Sequence, residues 1–288
     1  MTYSGPKGAQ WTLSETDLVH RLVVGKTRAG FMLDVGAHTG SSLAPYAQSG
    51  WQVLAFEPDP ANLAQLKLHP AARGAKVDII QAAVGAEKRD TVPFFSSPES
   101  TGVSGLSAFL SSHREVAQVP LVTLGEVIAE RQIRHVDLLK IDVEGHEMDV
   151  LRGMPFEYVT PSVVIAEFED AKTTTLGYSS HDLVHFLIDR GYTVFVSEWW
   201  PIVRYGVRHS WRRLTRYPCF IPADSWGNLI AFQKPPSDDE LNAALAALIN
   251  RPVSKPTPAP GGGKAPSGPS GQVGAAPDQA GKAQGDAP

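Results

Sequence analysis

After Lys140, four titratable side chains crowd one short segment: Asp142, Glu144, His146 and Glu147, in Lys140-Ile141-Asp142-Val143-Glu144-Gly145-His146-Glu147. A histidine imidazole can accept a proton near neutral pH, which makes His146 the candidate base. Asp142 and Glu144 have the chemistry to orient that base, a substrate or a metal. Glu167, in Ala166-Glu167-Phe168, ends a later apolar run and is expected to point into the same cleft. With Asp142 and Glu144 it would offer a divalent cation three hard oxygen ligands. Each group also has a plainer reading. A lone exposed histidine is commonly inert, and a buried glutamate is as readily a structural hydrogen-bond partner.

A second constellation lies upstream, in Asp34-Val35-Gly36-Ala37-His38-Thr39-Gly40. Glycines between a strand and a helix let a ligand approach the backbone closely. Counting from Gly36, the dinucleotide fingerprint G-x-G-x-x-G fails, because His38 and Ser41 stand at its second and third glycine positions. Close approach of a pyrophosphate is disfavoured, and a nicotinamide-dependent oxidoreductase becomes the weaker alternative. The acid at Asp34 suits a ligand carrying a positive amine. Glu57, in Phe56-Glu57-Pro58, ends the next apolar run, where an acid can accept both hydroxyls of a ribose. In Gln81-Ala82-Ala83-Val84-Gly85, small residues such as Ala83 leave room for a flat base, though a simple tight turn has the same composition.

These residues need a scaffold that gathers strand ends. Apolar runs at 31–35, 52–56, 77–81, 136–141 and 163–168 read as strands. Helical patterns fall at 41–49, 60–68, 124–131, 147–151 and 180–190. Late strands are expected at 192–196 and 228–232. Continuous apolar strands alternating with helices predict an α/β fold, a doubly wound and mostly parallel sheet covered on both faces, with a late antiparallel strand at its edge. Residues 1–30 form a helical lead-in, in which Ser14 precedes Leu18, Leu22 and Val23. The main domain spans 31–235, and a short helix is expected at 236–250. Residues 251–288 are rich in Pro, Gly, Ala and Ser with no aromatic residue, and read as a disordered tail.

The order Asp-Val-Gly-Ala-x-x-Gly, Phe-Glu-Pro, Ala-Val-Gly and Leu-Lys-Ile-Asp-Val-Glu-Gly-His-Glu resembles the FkbM family of methyltransferases, over about 31–196. The resemblance implies a class I, Rossmann-like methyltransferase fold, S-adenosylmethionine as methyl donor, and usually a hydroxyl acceptor on a sugar, glycan or natural product. Carried onto this chain, Asp34, Gly36 and Gly40 would line the methionine end of the cofactor. Glu57 would hold the ribose and Asp142 would face the methyl group. His38 replaces the more usual Asn of the first loop, where it can keep a polar contact to the cofactor. The stretch 100–107 is similar to the family's Gly/Ser segment that folds over the cofactor.

One segment looks built to read a substrate. Residues 198–217 carry Arg204, Arg208, Arg212, Arg213 and Arg216 among Trp199, Trp200, Tyr205, Trp211 and Tyr217, with no acid after Glu198. Arginine forks bind phosphates and carboxylates, so Arg208, Arg212 and Trp211 are candidate contacts to an anionic acceptor. A basic loop whose aromatics simply pack on the core, and a single-stranded RNA platform, are the alternatives. The 288-residue chain has a net charge of −4, which argues against broad nucleic-acid binding. Its single cysteine, Cys219, excludes an internal disulfide and reads as a small buried hydrophobe. With no apolar leader and no long apolar run, the expected location is the cytoplasm without a membrane span. A non-catalytic cofactor-binding or scaffold protein is the alternative from a different class.

Overall fold

A computed structural model of the chain describes residues 2–4, 11–26, 29–74, 76–98, 100–205 and 207–249. The expected tail at 251–288 lies outside them. In chain order the strands are β1 Thr2–Ser4, β2 Phe31–Val35, β3 Gln52–Phe56, β4 Val77–Ile80, β5 Ala83–Val84, β6 Arg89–Ser97, β7 Ser100–Gly105, β8 Arg114–Val122, β9 Leu138–Ile141, β10 Val163–Glu169, β11 Thr193–Trp199, β12 Trp211–Arg216 and β13 Trp226–Phe232. The helices are α1 Glu15–Val23, α2 Ala44–Gln48, α3 Pro60–Leu68, α4 Leu124–Glu130, α5 Glu147–Arg152, α6 Asp170–Thr173, α7 Ser180–Ile188 and α8 Asp238–Ile249.

Nine strands make the main sheet, in the order β1-β12-β11-β13-β10-β9-β2-β3-β4. The run from β4 through β3, β2 and β9 to β10 is parallel. β13 then runs antiparallel between β10 and β11. The chain moves outward from β2 to β3 and β4, and later returns to the other side of β2 as β9. The crevice between the carboxyl ends of β2 and β9 is therefore the topological switch point, where such sheets bind ligands.

The apolar runs are buried on both sides, as a parallel sheet requires. Leu33, Val35, Leu139 and Ile141 join one core with residues of α4, α5 and α7. Met32, Leu138, Ile165 and Ile230 join the other with Leu18, Leu22, Leu241 and Leu245 of α1 and α8. Local capping agrees with the sequence. Ser14 Oγ accepts the Asp17 N–H at 3.1 Å to start α1, and Asp59 caps α3 with Pro60 at its first position.

Two parts of the architecture depart from expectation. Residues 83–122 hold a second sheet, ordered β5-β8-β6-β7, where only a turn and a Gly/Ser segment were predicted. Its core is small: Ala83, Phe94, Val119 and Leu121. β12 and β1 also extend the main sheet beyond the predicted late strands. The part of the supposed substrate-reading insert from Trp211 to Arg216 is thus regular sheet.

Candidate active site

A cavity of about 330 Å³ opens at the switch point. Its wall includes Gly36, Ala37 and His38 after β2, Glu57 after β3, Ala83 from the second sheet, and Lys140, Asp142 and Glu144 from the end of β9. Ser14 to Thr16, Ile165 and Asn228 also line it, while Gly102, Ser104 and Leu106 border it from the second sheet.

The first turn is built from its backbone. Gly36 has φ 78, and a Cβ there would lie 1.8 Å from the Asp142 carbonyl oxygen, so only glycine lets these two loops meet. His38 has φ 49, a left-handed conformation that Asn and His both tolerate, which accounts for His at a position where Asn is usual. The N–H groups of Gly36 and Ala37 donate to the Phe56 carbonyl at 3.0 Å, and that of Gly40 donates to the Ala37 carbonyl. The His38 N–H donates to Glu57 Oε2 at 2.6 Å. These donors are satisfied internally, so the turn cannot cradle a pyrophosphate as the dinucleotide fingerprint does.

Glu57 is the acid of this half. It also accepts the Asp59 N–H at 2.9 Å. Burial raises its pKa to about 7, against the backbone donors that favour its charged form. Each carboxylate oxygen retains a second lone pair.

Asp34 and Gly40 do not line the cavity, a correction to the expectation that both would. Asp34 is fully buried, accepting from Ser42 Oγ at 2.6 Å and pairing with Lys140 at 3.5 Å. Gly40 (φ 95) packs against Leu66. Lys140 ties the two halves together, donating to the Gly36 carbonyl at 2.7 Å and standing 3.4 Å from Asp142. Burial disfavours the Lys140 charge, but Asp142 and Asp34 outweigh it and hold the pKa above the ordinary lysine value.

The crowded segment sorts its four groups by direction. Glu144 lines the cavity from a left-handed backbone, φ 60, a conformation that costs a non-glycine residue energy and gathers at functional sites. Burial raises its pKa to about 7, with Lys172 pulling the other way. Glu147 turns inward and braces the turn, accepting the Val143 and Gly145 N–H groups at 3.0 and 3.2 Å and the Tyr178 hydroxyl at 3.1 Å. His146 turns away from the cavity, against its expected role as the base. Its Nδ1 lies 3.1 Å from Asp149 Oδ2 and its Nε2 2.8 Å from Ser107 Oγ. It borders a separate groove of about 550 Å³ with Arg89, Asp149 and Arg152.

The structure does bring Asp142, Glu144 and Glu167 together, with an oxygen of each within 4.8 Å of the others. Beside them stands Lys172 of α6, which the sequence reading missed. Its Nζ pairs with Glu144, with Glu167 at 3.4 Å and with Glu169 at 2.7 Å. A built-in ammonium thus stands among the three carboxylates that were candidate metal ligands, and Glu167 does not itself line the cavity. Phe109 and Tyr205 cover Lys172, their ring centres 5.3 and 5.8 Å from Nζ. The spacing Glu167-x-Glu169-x-x-Lys172, on a strand end leading into a helix, was the available signal.

The basic insert does not face the cavity. Trp211 is 2% exposed and donates its indole N–H to Ser197 Oγ at 3.0 Å. Arg212 and Arg213 clamp Glu198 at 2.5 and 2.6 Å. Arg208 is exposed and stands outside the cavity wall. The one acid at the segment's start, Glu198, engages Arg212 and Arg213. Cys219 packs half-buried against the larger core, as its composition implied.

Among the described residues, no helix is long and apolar enough to cross a membrane. Three curated relatives are similar to this chain. The 31-O-demethyl-FK506 methyltransferase FkbM of Streptomyces tacrolimicus is 29% identical over 58% of this chain and 74% of its own length. Methyltransferase 1 of Beauveria bassiana is 30% identical over 50% of this chain and 69% of its own. The hexuronic acid methyltransferase AglP of Haloferax volcanii is 24% identical over 53% and 62%. The family model described as the methyltransferase FkbM domain matches residues 34–194, which hold the glycine turn, Glu57, the segment from Lys140 to Glu147, and Lys172. That match covers more than half of the 288 residues, and the chain belongs to the FkbM methyltransferase family.

Proposed function

We propose that this protein transfers a methyl group from S-adenosylmethionine to a hydroxyl oxygen, with Glu144 as the proton acceptor. The observation that carries this reading is one cavity at the switch point lined by both Glu57 and Glu144. Its volume, about 330 Å³, falls within the range of small-molecule sites. Glu57 has the free lone pairs to accept ribose hydroxyls. Ala82, Ala83, Val84 and Phe94 offer an apolar wall for the base. When bound, the cofactor supplies a methyl carbon on a cationic sulfur, already a good electrophile.

The protein's own task is alignment and proton removal. Asp142 borders the cavity beside Lys140, which fixes it relative to the first turn. Glu144 takes the hydroxyl proton as the oxygen–carbon bond forms and the carbon–sulfur bond breaks. Its pKa near 7 matches that role at neutral pH. Lys172 keeps the carboxylate in place and supplies the positive charge of the cluster, so the reading is of a metal-independent enzyme.

The acceptor class follows the family: a hydroxyl on a sugar, glycan or natural product. An arrayed set of sugars and glycans, incubated with enzyme and S-adenosylmethionine, should show a product heavier by one methyl group. Glu144→Gln should lower that turnover by about 100-fold or more, with cofactor binding retained. Full-rate turnover by this variant would remove Glu144 from the reaction.

A further inference from the structure

Glu15, the first residue of α1, is a buried acid on the cavity wall with no part in the proton transfer. It stands outside residues 34–194, the span of the family match. Its Oε1 accepts the Ser197 hydroxyl at 2.7 Å and the Trp199 indole N–H at 2.8 Å. Ser197 Oγ in turn accepts the Trp211 indole N–H at 3.0 Å, which commits the hydroxyl proton to Glu15. Asn228, also on the cavity wall, is a further hydrogen-bond partner of this carboxyl.

All of these partners are neutral. Asp142 and Glu144 on the same wall face Lys140 and Lys172, but among the described residues no cation pairs with Glu15. Burial raises its pKa, against the Ser197 and Trp199 donors. A carboxylate taken out of water without a counter-charge is costly, and a cationic ligand group would remove that cost.

S-adenosylmethionine carries such a group, the ammonium of its methionine arm. Asp34, the acid expected to meet it, is committed to Lys140 and Ser42 and does not line the cavity. The Gly36 carbonyl of the same turn already accepts from Lys140. Glu15 lines the cavity together with Gly36, Ser41 and Ser42. Its partners come from β11 and β13, which lie across β9 and β2 from the strand that carries Glu57. A ribose at Glu57 therefore leaves the methionine arm to run over the switch point toward Glu15.

We infer that Glu15 is the counter-charge for the ammonium of the cofactor's methionine arm, with Ser197, Trp199 and Asn228 as the residues that position it. This assignment rests on the methyl-transfer reading of the same cavity, and it moves to α1 the role expected of Asp34.

The test is calorimetry on the full chain with three ligands. S-adenosylhomocysteine carries the whole arm, S-adenosylthiobutyrate lacks only the amine, and methylthioadenosine keeps base, ribose and sulfur without the arm. The wild type should bind S-adenosylhomocysteine at least about tenfold more tightly than the thiobutyrate, the scale of a hydrogen bond between charged groups. Glu15→Gln keeps the shape of the side chain and an oxygen for Ser197 and Trp199. It should weaken S-adenosylhomocysteine by about tenfold and leave the other two ligands within about twofold. If thermal melting shows that Glu15→Gln does not fold, Glu15→Asp, which retracts the charge by one methylene, carries the same expectation. Equal affinity of the wild type for S-adenosylhomocysteine and the thiobutyrate, unchanged S-adenosylhomocysteine binding in the variant, or an equal loss for all three ligands overturns the assignment. Failure of the wild type to bind any of the three counts instead against the methyl-transfer reading.

Discussion

Lys172 is ion-paired with Glu144, so a helix that follows β10 holds the strained turn that follows β9. The same ammonium also reaches Glu167 and Glu169. This is a buried cluster in which several carboxylates depend on one cation. The arrangement places one ammonium among carboxylates from the ends of β9 and β10, and it holds Glu144 in its left-handed backbone.

Removing that cation should therefore be costly. Lys172→Met leaves buried carboxylates uncompensated and should destabilise the fold by about 3–5 kcal/mol. Denaturant unfolding measures this directly. A loss below about 1 kcal/mol would show that the cluster is charge-balanced some other way.

Much of this was legible in the sequence, and the exceptions have physical reasons. The parallel strands were readable because both of their faces are buried and their apolar runs are continuous, as in Phe31–Val35 and Leu138–Ile141. The second sheet was not, because β8 alternates weakly around Pro120 and β6 is broken by Pro93 and register shifts. Glu57 and Glu144 were found because strand ends in this topology converge on one crevice. Direction was not legible. Nothing in the spacing of Glu144 and His146 says that one faces the cavity and the other Ser107, because positive φ at Glu144 and Gly145 turns the chain between them. Lys172 was missed because, although Glu167 and Glu169 stand close to it in sequence, only the fold brings Glu144 from the end of β9 to the same ammonium.

Two acids with raised pKa give the stability a pH dependence. Glu57 rises from 4.5 to about 7 on folding, as does Glu144. Between those values the folded state binds more protons than the unfolded one, so these groups stabilise at low pH and lose that contribution as pH rises through about 7. Glu57→Gln keeps the uncharged form at every pH. Its Tm should gain on the wild type by roughly 5 °C between about pH 5 and about pH 8 in cofactor-free protein. A difference that stays flat or falls across this range would mean that Glu57 is not held near pH 7.

With Glu144 proposed as the proton acceptor, His146 is left a structural role. Its partners, Ser107 and Asp149, fasten the segment after β7 to α5. His146→Ala should lower methyl transfer by less than about tenfold, whereas loss of a general base costs about 100-fold or more. A loss of that larger size, with cofactor binding intact, would restore His146 as the proton acceptor.

The cavity between β2 and β9 is proposed to hold S-adenosylmethionine with Glu57 on its ribose. Calorimetry with S-adenosylhomocysteine tests it most directly, on the wild type and on Glu57→Ala. The expected result is binding by the wild type and a Kd at least about tenfold weaker in the variant, the scale of a lost hydrogen bond to a charged group. Absence of heat with the folded wild type, or equal affinity in Glu57→Ala, would contradict the account.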